Sequence, residues 1–125
     1  MGRRTETTDY LKECIADALF QLMETQEIEK IRIDDITELA GVGRMNYFRY
    51  FNSKAEVLHY KMGQLFYRWA DEHPGLNETP GFDNALAFFR FCLGVKPYIE
   101  QLHRHGQMGM MTEFMISPEG YDEMD

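Results

Sequence analysis

Cysteine is scarce in this chain, with two in 125 residues, Cys14 and Cys92. They lie far apart and each falls in an apolar helical pattern, so they read as reduced core thiols and not as a disulfide framework. Long apolar runs are missing too. The longest, 85–95, spans eleven residues and is broken by Arg90, against the roughly 20 that a membrane-spanning helix needs. The opening MGRRTETTDY carries bases with no apolar core behind them, so no secretory leader is expected. Glu6 stands where a myristoylation motif wants Ser or Thr. A cytoplasmic location without membrane contact is the expectation.

The chemistry of catalysis is equally thin. There is no glycine-rich phosphate loop and no recognisable nucleophile arrangement. His103 and His105 stand two apart, which on a helix points them in divergent directions. His59 and His73 have no partner at ligand spacing. The expectation is a protein that is not an enzyme, with no metal site and no cofactor.

Bases are outnumbered, 13 Lys and Arg against 21 Asp and Glu, for a net charge of −8. Spread evenly, that excess would repel nucleic acid and anionic membranes. It is not spread evenly. Residues 42–68 carry five bases (Arg44, Arg49, Lys54, Lys61, Arg68) and one acid, Glu56, a local charge of +4. The segments on either side, 1–41 and 69–125, carry −5 and −7. A basic element set in an acidic chain suits a nucleic-acid reader joined to a separate half, and equally a solvated helix face.

What is present is helical periodicity from end to end, with 44% hydrophobic and 14% aromatic residues, enough to build a core. Leu11, Ile15, Ala18, Leu19, Leu22 and Met23 recur at three- and four-residue steps, predicting a helix over 9–24 capped by Thr7 or Thr8. Ile33, Ile36, Leu39 and Ala40 predict a second, Gly41 interrupts, and a third short segment covers 44–50. Ser53 to Glu56 fits a capping box that opens a fourth helix, with Val57, Leu58, Met62, Leu65, Phe66 and Trp69 as its apolar stripe. The breaks at Pro74-Gly75 and Pro80-Gly81 mark the best boundary in the chain. Beyond it, Asp83 is the expected cap of a fifth helix, apolar nearly all round and so expected to be buried on most sides. Gly94 stops it, and Lys96-Pro97 starts another that runs to about His105. A last apolar piece covers 108–116, and the acidic EGYDEMD is expected to be disordered. The fold class is all-α.

A two-turn helix, a glycine able to take a left-handed turn, and a second short helix make the arrangement of a helix-turn-helix, whose second helix enters the DNA major groove. The wording of the segment is more specific. Asp35-Ile36, Ala40-Gly41-Val42, the aromatic run Tyr47-Phe48-Arg49-Tyr50-Phe51, and Ser53-Lys54 followed by Val57-Leu58 resemble the N-terminal DNA-binding domain of TetR-family transcriptional regulators, over roughly residues 7–69. The resemblance implies that Arg44, Met45, Asn46 and Arg49 lie on the groove-facing side of the reading helix. Arginine can bind guanine, and asparagine adenine, through two hydrogen bonds. It also implies aromatic contacts to DNA from Phe48 and Tyr50, and a phosphate contact from Lys54 at the start of the fourth helix, aided by the helix dipole.

Departures from the family pattern are visible. Phe48 lacks the hydroxyl of the usual tyrosine, Gly43 stands where a Ser or Thr cap is common, and Arg32 stands at the cap of the second helix, offering no acceptor. Arg32 either reaches a phosphate or stays exposed. Arg3 and Arg4 form either a basic arm for an adjacent minor groove or a terminus without contacts. Tyr47 and Phe51 are assigned to the core.

The expected organisation is a DNA-binding domain over 1–52, a connecting helix over 53–73, and a helical effector-binding and dimerisation domain over 74–125 that is short for the family. Phe82, Phe88, Phe89, Phe91, Tyr98 and Phe114 are candidates for an effector pocket or for plain core. The resemblance implies a ligand-responsive repressor that binds a palindromic operator in double-stranded DNA as a homodimer. The alternative is a helical protein-interaction or small-molecule-binding module that has lost DNA binding.

Overall fold

The computed structural model describes residues 2–72 and 81–111, with side chains described over 7–72 and 86–111. Among the described residues there is no strand. The helices are α1 (Gly2–Leu22), α2 (Ile33–Ala40), α3 (Arg44–Tyr50), α4 (Lys54–Asp71), α5 (Gly81–Gly94) and α6 (Lys96–Arg104). Short 3-10 turns cover Ile28–Lys30 and Met108–Met110. The protein is all-α. The chain divides into two compact units, Met1–Lys61 and Met62–Asp125, so the dividing line falls inside α4, the expected connecting helix.

In the first unit α1 packs on α2 and α3. Its inner surface is wider than the periodicity suggests: Ile15, Ala16, Ala18, Leu19 and Phe20 are all buried, as is Met23 just beyond its end, while Leu11 and Leu22 are half-buried. The helix starts at Gly2, so Thr7 and Thr8 are helical residues and not caps. Nothing between Arg3 and Thr8 breaks a helix, and a threonine with no breaker before it need not end one. Arg3 and Arg4 therefore sit in the first turn of α1 and not in an extended arm.

Ile36 and Thr37 face inward from α2, but Leu39 stays exposed, so one residue of the predicted stripe is left out. Thr37 Oγ1 satisfies itself on the Asp34 carbonyl, 3.2 Å away. Gly41 closes α2 at φ 71°, ψ 32°, a left-handed conformation that costs glycine little. The Val42 amide then donates to the Thr37 carbonyl at 3.0 Å, the six-to-one bond that ends helices of this kind. Three residues later α3 is under way.

At the next junction the Glu56 amide donates to Ser53 Oγ (3.2 Å), and Glu56 Oε1 accepts from the Asn52 amide (3.1 Å). The capping box thus reaches one residue further back than its usual form. Tyr47, Phe51, Val57 and Leu58 close the core beside Ile28, Ile31 and Val42. Tyr47 is 1% exposed, and its hydroxyl has no hydrogen-bond partner among the described residues. Burial, with the charge of Glu56 added, pushes its phenol above the ordinary value. A buried hydroxyl without a partner costs about 1–3 kcal/mol. Tyr47→Phe is therefore expected to raise stability by about 1 kcal/mol in a urea titration, whereas a loss would reveal a partner.

In the second unit Phe66 and Trp69 of α4 meet Phe88 and Phe91 of α5, with ring centroids 5.4–6.1 Å apart. Phe91, Leu102 and Met111 are buried. The expectation that α5 is covered on most sides does not hold, because Leu86, Phe89 and Leu93 are 41–59% exposed. An apolar sequence fixes how much a helix can bury, and the neighbours decide how much it does. Helix α5 begins at Gly81, so Asp83 is inside it and not its cap. Phe88 and Phe91 join the aromatic cluster, Phe89 is exposed and Tyr98 is half-buried. The side chain of Phe82, all of Phe114, the Pro74 and Pro80 breaks and the acidic tail lie outside the described residues. Helix α6 starts as expected, with Pro97 in its first turn.

Candidate nucleic-acid interface

Helix α3 has seven residues, and one aromatic within it and one at its C-cap decide its orientation. Tyr47 and Phe51 insert into the core, with centroids 6.0 Å apart. At 3.6 residues per turn the opposite side carries Met45 and Arg49, with Phe48 on its flank. Arg44, three residues before Tyr47, falls on the inner side but stands at the N-terminal end of the helix, and all four are exposed. Met45 is 80% exposed and Phe48 50%. Asn46 and Tyr50 are half-buried at the edge of that face. Six of the seven residues implied by the family resemblance thus lie on one short helix, four of them exposed and two half-buried.

These side chains are not independent. The Arg44 guanidinium carbon stands 5.2 Å from the centroid of the Phe48 ring, one helical turn away. An Arg44 Nη1 hydrogen is donated to Asp34 Oδ1. Asp34 Oδ2 lies 4.0 Å from Arg32 Nη2, so one carboxylate of α2 sits between two exposed guanidinium groups. Arg32 occupies the N-cap of α2 without a capping side chain, and Gly43 does the same for α3. At the edge of the face the Lys12 ammonium of α1 stands 6.0 Å from the Tyr50 ring and 5.3 Å from the Tyr60 ring. Lys12 extends the cationic surface beyond what α3 alone provides. Neither Lys12 nor Asp34 is recognisable from local sequence, since each meets its partner only through tertiary packing.

Lys54 departs from the expectation. Its Nζ donates to the carbonyls of Ile28 (2.6 Å) and Ile31 (2.8 Å). Two of its three N–H groups are thereby used within the protein, where the resemblance implies a phosphate contact. Lys61, another base of the +4 segment, is 7% exposed and held by Glu13 and Asp17 of α1, both at 2.9 Å. The cations left facing solvent around α3 are Arg32, Arg44 and Arg49, with half-buried Lys12 at the margin. Among the described residues no helix is long and apolar enough to cross a membrane, and no group of three or more His, Cys, Asp or Glu is placed to hold a metal ion. Cys14 and Cys92 are free thiols, both half-buried, and burial pushes the Cys92 thiol up. No protein-family model, curated protein or solved structure matches the chain.

Proposed function

We propose that this chain is a sequence-specific DNA-binding regulator of the TetR type. In this reading α2 and α3 form the helix-turn-helix, and α3 enters the major groove. The observation that carries it is the exposed part of α3, where Arg44 and Arg49 stand beside a methionine and a phenylalanine left in water. Guanidinium groups read guanine, and apolar side chains pack on thymine methyls. A seven-residue helix serving only the core would have no use for that combination. Arg32 and Lys12 supply phosphate contacts at the margins, Asn46 and Tyr50 sit where an adenine or backbone contact begins, and Lys54 anchors the scaffold. The protein acts as a homodimer on a palindromic operator in the cytoplasm, as a repressor released by a small effector in the Met62–Asp125 unit.

The test is binding to duplex DNA from the promoter beside its own gene, measured across salt concentrations. Affinity should fall steeply as salt rises, since each phosphate neutralised adds about −0.9 to the logarithmic slope. No detectable binding at low salt would sink the reading. Arg44→Ala is expected to weaken specific binding by about 2 kcal/mol and to relax preference at one base position. Equal losses on all sequences would instead make Arg44 a phosphate contact. One observation favours the second reading, a protein-interaction module: Leu86, Phe89 and Leu93 expose an apolar stripe along α5.

A further inference from the structure

Exposed arginines ordinarily sample many rotamers, and immobilising one on binding carries an entropic cost. Arg44 is 58% exposed along its side chain, yet it is held from two directions. Asp34 Oδ1 accepts from its Nη1, and the Phe48 ring lies beneath its guanidinium carbon at 5.2 Å. The carboxylate comes from the first turn of α2, where the helix dipole favours a negative charge. It reaches α3 across the Gly41 turn, ten residues along the chain. We propose that Asp34 is a positioning residue that sets the base preference of α3 by fixing the direction in which Arg44 points. The proposal rests on the DNA-binding reading given above.

The chemistry is that of a shared guanidinium. Arginine carries five N–H donors in a rigid fork. The ion pair engages Nη1 through one of them, which leaves a parallel pair for the N7 and O6 acceptors of guanine. The same carboxylate offsets part of the positive charge of Arg44 and, through Oδ2 at 4.0 Å, of Arg32. Attraction to phosphates of any sequence is lowered while the two-donor contact keeps its direction. Asp34 therefore raises discrimination and lowers sequence-independent affinity. A salt bridge that merely decorated the surface would do neither.

Selection from a randomised duplex pool, with salt titrations on a random-sequence duplex, separates these cases for the wild type, Asp34→Asn, Asp34→Ala and Asp34→Glu. The Asn and Ala variants should lose about fivefold in preference at the one base position that Arg44→Ala also relaxes. They should bind random duplex more tightly, with a salt slope steeper by about one unit. Asp34→Glu, which keeps the charge, should restore part of the preference. Asp35→Asn removes an equal charge from the same turn of α2 and should leave the preference profile as it is. Unchanged preference in the Asp34 variants, or an equal loosening at all positions, overturns the proposal while leaving the DNA-binding reading intact. A wild-type chain that binds no duplex at low salt overturns both.

Discussion

Lys61→Met is expected to destabilise the Met1–Lys61 unit by about 3 kcal/mol, read as a lower midpoint in urea. Methionine matches the length and apolar stem of lysine, so the change isolates the ammonium. That ammonium is 2.9 Å from Glu13 Oε2 and 2.9 Å from Asp17 Oδ1. The lysine side chain is 8% exposed, Glu13 27% and Asp17 61%. Breaking a buried pair from one side costs about 3–5 kcal/mol, because the other charge is left without a partner. Asp17 keeps most of its water and Glu13 does not, which puts this site at the lower end. The two carboxylates also lie one turn apart on α1 and repel once the lysine is gone. At roughly 0.05–0.15 kcal/mol per residue, a unit of this size has little stability to spare. Adding Glu13→Gln and Asp17→Asn to Lys61→Met should recover most of the loss, since a neutral cluster has no stranded charge. An unchanged midpoint in the single variant would mean that the carboxylates are solvated as well without Lys61 as with it.

The bounds of α2 and α3 could be read from the sequence because their punctuation is local. Gly41 is the residue that accepts a left-handed turn most cheaply, and Ser53 with Glu56 announces the next helix within four residues. The direction of α3 was legible for a similar reason, as two aromatics four residues apart leave one side for the core and one for solvent. The start of α1 was not legible. Between Arg3 and Thr8 no residue forces a boundary, and a threonine can sit in a helix as well as cap one. Nor was the exposure of α5, since Leu86, Phe89 and Leu93 differ from Phe91 only in what lies against them.

The charges divide along the same line. The +4 of residues 42–68 is a property of the segment and does not say which cations face outward. Lys54 and Lys61 spend their charge inside the fold, and two residues of the acidic segment 1–41, Lys12 and Arg32, stand near the surface of α3. Summed charge measures a segment, whereas a binding face is assembled from several. Asp34 makes the point most directly. From its sequence position it is a favourable residue at a helix start, and its ion pair with Arg44 exists only because α3 folds back past it.

Lys54 provides the sharpest test of how that assembly works. A lysine in the first turn of a helix opposes the helix dipole, so its presence there calls for a compensating partner. The carbonyls of Ile28 and Ile31, 2.6 and 2.8 Å from Nζ, provide one. They open and cap the 3-10 turn that leads into α2, so one ammonium ties the start of α4 to the entry of α2. Hydrogen bonds to a charged group contribute about 1.5–3 kcal/mol each, and the side-chain entropy of lysine opposes them. Lys54→Met is therefore expected to lower stability by about 2–3 kcal/mol in urea, more than any substitution on the outer face of α3. At a temperature where the variant remains folded, its affinity for random duplex should stay within about twofold of wild type, with an unchanged salt slope. A phosphate contact predicts the reverse pattern: stability preserved, affinity reduced on every sequence, and the slope smaller by about one unit. The two readouts together assign the ammonium either to the scaffold or to the DNA backbone.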